Sequence, residues 1–499
     1  MFPTPRSDLL PNTAEYEVTP LVKATGFREY DARWLLGPDI NLMGVQALGL
    51  GLGTYLRELS EKRIVVGHDF RAYSLSVKQA LTLGLTAAGC EVLDIGLCLS
   101  PTAYFAQFDL PARCVAMVTA SHNENGWTGV KMGANPPVTF GPEEIGRLKA
   151  IVLGGEFRPR EGGSVTQVEG VGERYIADAA ARCILKRRLK VVCACGNGTA
   201  GAFAPEALRR MGAEVIEMDC DLDYTFPRYN PNPEDSEMLS AMGEAVRAHG
   251  ADLALGFDGD GDRCGVVDDE GEEIFADKIG LMLARDLAPR HPGAKFVVDV
   301  KSTGLYATDE ILAANGASTL YWKTGHSYIK RKTAEIGALA GFEKSGHFFF
   351  GPPLGRGYDC GLTAAAAILA MLDRNPGKKL SNLKRDLPVA FTSLTMSPHC
   401  ADEVKYDVVE QVVKEYQAVF ERGDRILGRA IAEVITVNGV RVALEDGSWL
   451  LVRASSNKPE IVVVVESTRS ADDMRALFHQ EVKPRLAAHP EIGAYNQEI

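Results

Sequence analysis

The sequence lacks any apolar run long enough to cross a bilayer; the run at 461–465 is representative, so no membrane is expected to hold this chain. It also lacks a basic surplus. Its 54 Lys and Arg face 66 Asp and Glu, a net charge of −12 with no Lys/Arg run, which argues against a nucleic-acid partner. The N-terminal Met1-Phe2-Pro3-Thr4-Pro5-Arg6 has no apolar core of a secretory signal. The ten cysteines form no paired framework, and only Cys193-x-Cys195 are close in sequence. That usage predicts reduced thiols in a cytoplasmic protein. No Gly-x-Ser-x-Gly frame surrounds a serine, which disfavours a hydrolase elbow. What remains is ordinary globular composition, 46% hydrophobic and 24% charged, over 499 residues, enough for several domains.

One unit recurs three times. Ala87-Ala88-Gly89-Cys90-Glu91-Val92, Arg210-Met211-Gly212-Ala213-Glu214-Val215 and Ala314-Asn315-Gly316-Ala317-Ser318-Thr319 each pass from a helix pattern through Gly into a β-prone run. Upstream of each lies an apolar strand and a polar loop, at 64–69, 191–197 and 296–301. Downstream lies a strand ending in a polar motif, at 115–121, 253–258 and 338–343. This alternation predicts three similar α/β domains with mixed, largely parallel sheets. The remainder differs. A helical pattern at 404–420 precedes strands joined at Asn438-Gly439 and Asp446-Gly447, with a closing helix at 471–486, as in an α+β domain. The expected divisions are 1–168, 169–272, 273–385 and 386–499.

The densest chemistry lies in Leu253-Ala254-Leu255-Gly256-Phe257-Asp258-Gly259-Asp260-Gly261-Asp262-Arg263. Three carboxylates at alternate positions repel one another unless a positive charge sits among them, and oxygen ligands suit a hard divalent cation. A solvated turn is the plain alternative. An EF-hand loop starting at Asp258 is excluded, because Arg263 and Asp269 occupy its Gly and Glu positions. Arg263 offers a fork for phosphate.

Thr119-Ala120-Ser121-His122-Asn123 follows an apolar strand, with Lys131 ten residues past the serine. Ser121 suits a nucleophile or phosphate carrier, and equally a polar turn. Glu343-Lys344-Ser345-Gly346-His347 sets a carboxylate, a hydroxyl and an imidazole at alternate residues, a set that suits adjacent sugar hydroxyls or a capped helix start. Arg453-Ala454-Ser455-Ser456-Asn457-Lys458 is a dense donor set suited to phosphate, or a solvated turn. Gly196-Asn197-Gly198-Thr199-Ala200-Gly201, with Asp219 beyond, fits a dinucleotide fingerprint, yet any tight strand-to-helix turn has the same needs.

Taken in order, these motifs resemble the α-D-phosphohexomutase family, in particular its bacterial phosphomannomutase/phosphoglucomutase branch, along nearly the whole chain. The resemblance places Ser121 at the phosphoserine, which is also a metal ligand. It puts Asp258, Asp260 and Asp262 on the Mg²⁺ loop, with Arg263 as the following phosphate contact. Glu343, Ser345 and His347 match the sugar loop; Arg453, Ser455, Ser456 and Asn457 match the phosphate loop. Phe27-Arg28-Glu29-Tyr30-Asp31-Ala32-Arg33 resembles the N-terminal signature, which brings Tyr30 and Arg33 to the cleft, and His122, Lys301 and His326 match further contacts. Lys131 and His326 are the expected proton carriers. The chain departs from the pattern at Glu124, where Pro is usual, at Trp34, where Gly is usual, and at Ser456-Asn457, where Asn-Thr is common.

The resemblance implies four domains around one cleft, one Mg²⁺ per chain, and interconversion of hexose 1- and 6-phosphates of mannose, glucose or both. A hexose 1,6-bisphosphate would serve as intermediate and activator. Phosphoglucosamine mutase is a further possibility within the family. Two other classes compete: an NAD-dependent oxidoreductase using Gly196 to Gly201, and a sugar-phosphate binding protein without catalysis.

Overall fold

In the computed structural model, which describes residues 3–455 and 458–499, the strand Arg63–His68 is the centre of the first sheet. It pairs in parallel with Glu91–Leu97 on one side and Cys114–Val118 on the other. Trp127–Gly133 returns antiparallel beside Cys114–Val118, with Ala32–Leu35 antiparallel at that edge, and Ser164–Gln167 lies parallel at the other. Ile64, Val65 and Val66 are all buried, as expected of a strand covered on both faces.

The second sheet repeats this plan. Lys190–Ala194 lies between Glu214–Met218 and Leu253–Phe257, both parallel, and Cys264–Val267 returns antiparallel beside Leu253–Phe257. A third set has Lys295–Asp299 between Ser318–Trp322 and Ala340–Phe342, again parallel. The mixed sheets read from the sequence are therefore present. The segments holding Ser121, the three aspartates and Glu343 each follow the same strand of their repeat. Ligands in such folds bind where loops leave the strand ends.

Helix packing explains several of the glycines in this domain. Leu42–Glu58 lies against Ser74–Ala87 so closely that a Cβ on Gly49 would stand 2.1 Å from the Leu81 carbonyl oxygen. One on Gly84 would meet that of Gln46 at 2.0 Å. Leu48, Leu52, Leu56, Leu81 and Leu85 fill the core above this sheet.

Contacts group the chain into two units, Met1–Ala276 with Ser345–Ser381, and Asp277–Lys344 with Asn382–Ile499. The second unit holds an antiparallel sheet in the order Phe391–Thr392, Ile461–Ser467, Trp449–Ala454, Val440–Leu444, Arg429–Ile435, Arg425–Ile426. The helix Lys405–Glu421 packs its Val408, Val412 and Tyr416 into that sheet's core. Gly439 turns between two strands at φ +73°, the conformation that the Asn-Gly signal demands. Among the described residues no helix is long and apolar enough to cross a membrane.

Candidate active site

Ser121 has φ +53°, left-handed backbone that a serine adopts at a cost of about 1 kcal/mol. Its surroundings enforce it. The Ser121 amide donates to Thr119 Oγ1 (2.8 Å), and Thr119 Oγ1 donates to Asp69 Oδ2 (2.8 Å). Asp69 also accepts from the Ala120 amide (3.2 Å) and from Ser74 Oγ. Arg71 donates to the carbonyls of Ser121 (2.9 Å), Asn123 (2.6 Å) and Glu124 (3.2 Å), while Arg33 Nη1 donates to that of Ala120 (2.9 Å). Strain held by so many bonds is characteristic of a working site.

The turn aims Ser121 at the carboxylates. Ser121 Oγ donates to Asp258 Oδ2 at 3.2 Å and lies 3.4 Å from His122 Nδ1. Gly259 allows the approach: a Cβ there would stand 2.6 Å from the Ser121 carbonyl oxygen. Asp258, Asp260 and Asp262 are fully buried, and each offers a carboxylate oxygen within 4.8 Å of the others'. Lys131, also buried, donates to Asp260 Oδ2 (2.7 Å) and to Asp262 Oδ2, and Ser100 Oγ donates to Asp260 Oδ2 (2.5 Å).

This arrangement splits the ionisation behaviour. Burial, with Asp262 and Asp260 alongside, pushes the Asp258 carboxyl well above the usual range. Burial acts the same way on Asp260, but Lys131 and the Ser100 hydroxyl outweigh it and hold Asp260 low. Burial alone would lower the Lys131 ammonium; Asp260 and Asp262 outweigh it and raise it. His122 is held well below the ordinary imidazole range by burial, with Arg263 and Arg33 adding to it.

The donor set fits a hard cation. Among the described residues Asp260 Oδ1 and Asp262 Oδ1 are buried without a hydrogen-bond partner, and such carboxylate oxygens suit Mg²⁺ or Ca²⁺. Arg263 borders the cluster. Its amide donates to Asp258 Oδ1 (3.1 Å), its Nη1 to Glu234 (2.8 Å) and its Nε to His347 Nε2 (3.1 Å). His347 Nδ1 lies 3.2 Å from Asp359 and 3.7 Å from Asp262. Ser121, His122, Lys131, the three aspartates, Arg263, Arg33 and His347 thus form one network in the first unit. Tyr30 precedes Asp31, the partner of Arg33 (2.8 Å), and half-buried Ser345 stands two residues before His347.

In the second unit, Asp299 gathers the other candidates. It accepts from Ser302 Oγ (2.6 Å), Thr324 Oγ1 (3.2 Å) and the Lys344 amide (3.4 Å), joining the turn that carries Lys301 to the segments at 324 and 344. Buried Glu343 accepts from the Gly325 amide (3.1 Å), and buried His326 starts the helix that follows. Arg453, next to last in its strand, donates from Nη1 to the Ala454 carbonyl (3.0 Å), and the Ser455 amide donates to the Glu460 carbonyl (3.0 Å). Ser456 and Asn457 lie outside the described residues.

Sequence reasoning missed Asp69, Arg71, Ser100 and Asp299, which touch the site loops without belonging to a motif. The only signal was their place at or near strand ends. It also left the glycine-rich segment at 196–201 open. There a Cβ on Gly201 would stand 1.9 Å from the Cys220 carbonyl oxygen, and one on Gly198 would stand 3.2 Å from the Gly259 Cα. Tight backbone packing therefore accounts for those glycines. Asp219 is bound by Arg228 (3.0 Å) and Tyr229.

Four successive segments match the phosphoglucomutase/phosphomannomutase family: alpha/beta/alpha domain I at residues 24–159, domain II at 173–271, domain III at 275–391 and the C-terminal domain at 401–483. A phosphomannomutase/phosphoglucomutase of Pseudomonas syringae pv. tomato is 33% identical over 468 residues, covering 93% of this chain and 97% of its own. A phosphoglucomutase of Neisseria meningitidis serogroup A is 33% identical with the same coverage. The crystal structure of a phosphoglucomutase/phosphomannomutase family protein from Burkholderia thailandensis superposes with a TM-score of 0.84 at 30% identity, over 95% of this chain and 99% of that one. With its four matched domains and its buried acidic cluster, the chain belongs to the phosphoglucomutase/phosphomannomutase family and is a hexose phosphate mutase.

Proposed function

We propose that the chain interconverts the 1- and 6-phosphates of mannose or glucose by way of a phosphoryl group carried on Ser121. The observation that carries this reading is the contact of a strained, buried Ser121 with the carboxylate loop, Oγ to Asp258 Oδ2 at 3.2 Å. In the first step a sugar hydroxyl attacks the phosphorus. A new P–O bond forms to the sugar, the P–Oγ bond of Ser121 breaks, and the hydroxyl proton passes to a protein group. The resulting bisphosphate returns its other phosphoryl to Ser121 by the reverse chemistry, and the proton comes back to the sugar oxygen.

Asp258, Asp260, Asp262 and the phosphorylated serine would hold Mg²⁺, which when bound neutralises charge on the transferring phosphoryl. Arg263 and His122 contact that phosphoryl from the protein side. Lys131 and His326 are assigned to the proton. Glu343, Ser345 and His347 grip the sugar hydroxyls, and Lys301, Tyr30 and Arg33 orient the substrate. Arg453, Ser455, Ser456 and Asn457 hold the phosphate that is not reacting. Hexose 1,6-bisphosphate would re-phosphorylate a serine that has lost its group. The ten cysteines, all free and buried, agree with a cytoplasmic setting.

An intact mass spectrum of the purified protein tests the phosphate carrier. A phosphoryl adduct is expected in the native chain and absent from Ser121→Ala, together with loss of nearly all mutase turnover. Substantial turnover in a folded Ser121→Ala variant would reject the assignment.

A further inference from the structure

Three thiols meet where the second sheet ends. Cys193 lies in the strand Lys190–Ala194, Cys195 follows on the same side, and Cys220 comes just past the neighbouring parallel strand Glu214–Met218. The Cys195 sulfur is 3.8 Å from that of Cys193 and 3.6 Å from that of Cys220, and all three lie within 4.8 Å of one another. Cys193 and Cys195 are fully buried, and Cys220 is 8% exposed. Among the described residues no other cysteines form such a triple.

We propose that Cys193, Cys195 and Cys220 form a binding site for a soft thiophilic metal ion such as Cu(I), separate from the aspartate cluster. Sulfur ligands at about 2.3 Å from a central ion in trigonal array stand about 4.0 Å apart, close to the spacing found here. Thiolates select Cu(I) and Zn over Mg²⁺, whereas the aspartates offer only oxygen, so the two clusters sort ions by hardness. Binding replaces each S–H bond by an S–metal bond and releases the protons to solvent. The slight exposure of Cys220 gives the route of entry.

The site would act as a clasp. Cys195 opens the turn that holds Thr199, whose amide donates to the Gly259 carbonyl (3.2 Å) and whose Oγ1 accepts from the Phe70 amide (2.8 Å). The Asn197 amide donates to the Asp219 carbonyl (2.7 Å) beside Cys220. An ion on the three sulfurs would therefore fix the segment that supports the carboxylate loop.

Cadmium serves as the probe, since its thiolate bonds give an ultraviolet charge-transfer band that carboxylate bonds do not. Reduced, metal-stripped protein is titrated with Cd²⁺ in excess Mg²⁺, which occupies oxygen sites. The expected result is a band that saturates at one Cd²⁺ per chain, accompanied by a rise in melting temperature. Both should be lost in Cys220→Ser and in Cys195→Ser and kept in Cys98→Ser, which alters a buried free cysteine outside the cluster, with circular dichroism confirming the fold of each. Absence of the band in the native protein, or its persistence in both cluster variants, overturns the proposal. The readout involves no mutase assay, so it stands or falls apart from the catalytic reading.

Discussion

Lys131 Nζ lies 2.7 Å from Asp260 Oδ2 and also bonds Asp262 Oδ2, so one buried ammonium serves two of the three loop carboxylates. Removing one member of a buried ion pair costs about 3–5 kcal/mol, because the charge left behind is uncompensated. Lys131→Met should therefore lower the melting temperature in the absence of divalent cation. Added Mg²⁺ should stabilise the variant more than the native protein, since a cation at the aspartates then supplies the missing charge. Thermal denaturation with and without Mg²⁺ measures both; equal gains in the two proteins would refute the account.

Asp260 combines the Lys131 and Ser100 contacts on Oδ2 with a buried Oδ1 that has no hydrogen-bond partner among the described residues. Asp260→Asn replaces a charged oxygen ligand with a neutral amide. The Mg²⁺ concentration for half-maximal turnover should rise by at least about tenfold, the lower end of what even outer ligands contribute. A titration of activity against Mg²⁺ decides it, and a superimposable curve would reduce the loop to a turn.

How much of this was legible in the sequence differs between the site and its supports. The three repeats could be read because each helix-to-strand passage leaves a Gly and a β-prone run, as at Gly89, Gly212 and Gly316. Their φ angles are +76°, +98° and +64°. Ser121 and the aspartates could be read because their chemistry is concentrated in a few adjacent residues. Asp69 and Asp299 could not. Each binds loops distant in sequence, Asp69 at residues 119 and 120 and Asp299 at 324 and 344. A lone aspartate after an apolar strand does not reveal which loops will reach it. Arg441 was hidden for the same reason. Fully buried, it lies 3.8 Å from the Trp449 ring centroid and 4.0 Å from that of Tyr321, and it donates to the Val300 (2.6 Å) and Ser302 (2.8 Å) carbonyls on either side of Lys301.

Glu466 gives the second unit a pH dependence. It is buried and accepts from Thr303 Oγ1 (2.9 Å), the Gly304 amide (2.8 Å), Trp449 Nε1 (2.9 Å) and Thr392 Oγ1 (2.5 Å), with Lys278 at 3.4 Å. Burial alone would raise its pKa, but Lys278 and these donors outweigh it and bring it from 4.5 down to about 2. A depressed carboxylate stabilises the fold above its unfolded pKa, and that contribution disappears as pH falls through the folded value. The shift corresponds to roughly 3 kcal/mol. Glu466→Gln should therefore be less stable than the native protein at neutral pH, with the gap narrowing between pH 4.5 and 2. Urea unfolding across that range, followed by tryptophan fluorescence, tests it; a gap that stays constant as pH falls would contradict the assignment.

Arg453 separates binding from chemistry. It is the penultimate residue of the strand Trp449–Ala454, half-buried, on the sheet that also carries Ser455 at its margin. If it holds the phosphate that is not reacting, its contact is similar in the ground state and the transition state. Arg453→Ala should then raise the Michaelis constant with a smaller loss of turnover. A charge-assisted guanidinium–phosphate contact is worth roughly 1.5–3 kcal/mol, which corresponds to about a 10- to 150-fold rise. Arg453→Lys keeps the charge but not the two-pronged geometry, so it should fall between the two. Some loss of turnover would follow if phosphate anchoring also drives a closing motion. Steady-state kinetics with mannose 1-phosphate and glucose 1-phosphate measure both constants. Unchanged Michaelis constants for both sugars in Arg453→Ala would place the phosphate anchor elsewhere in the chain.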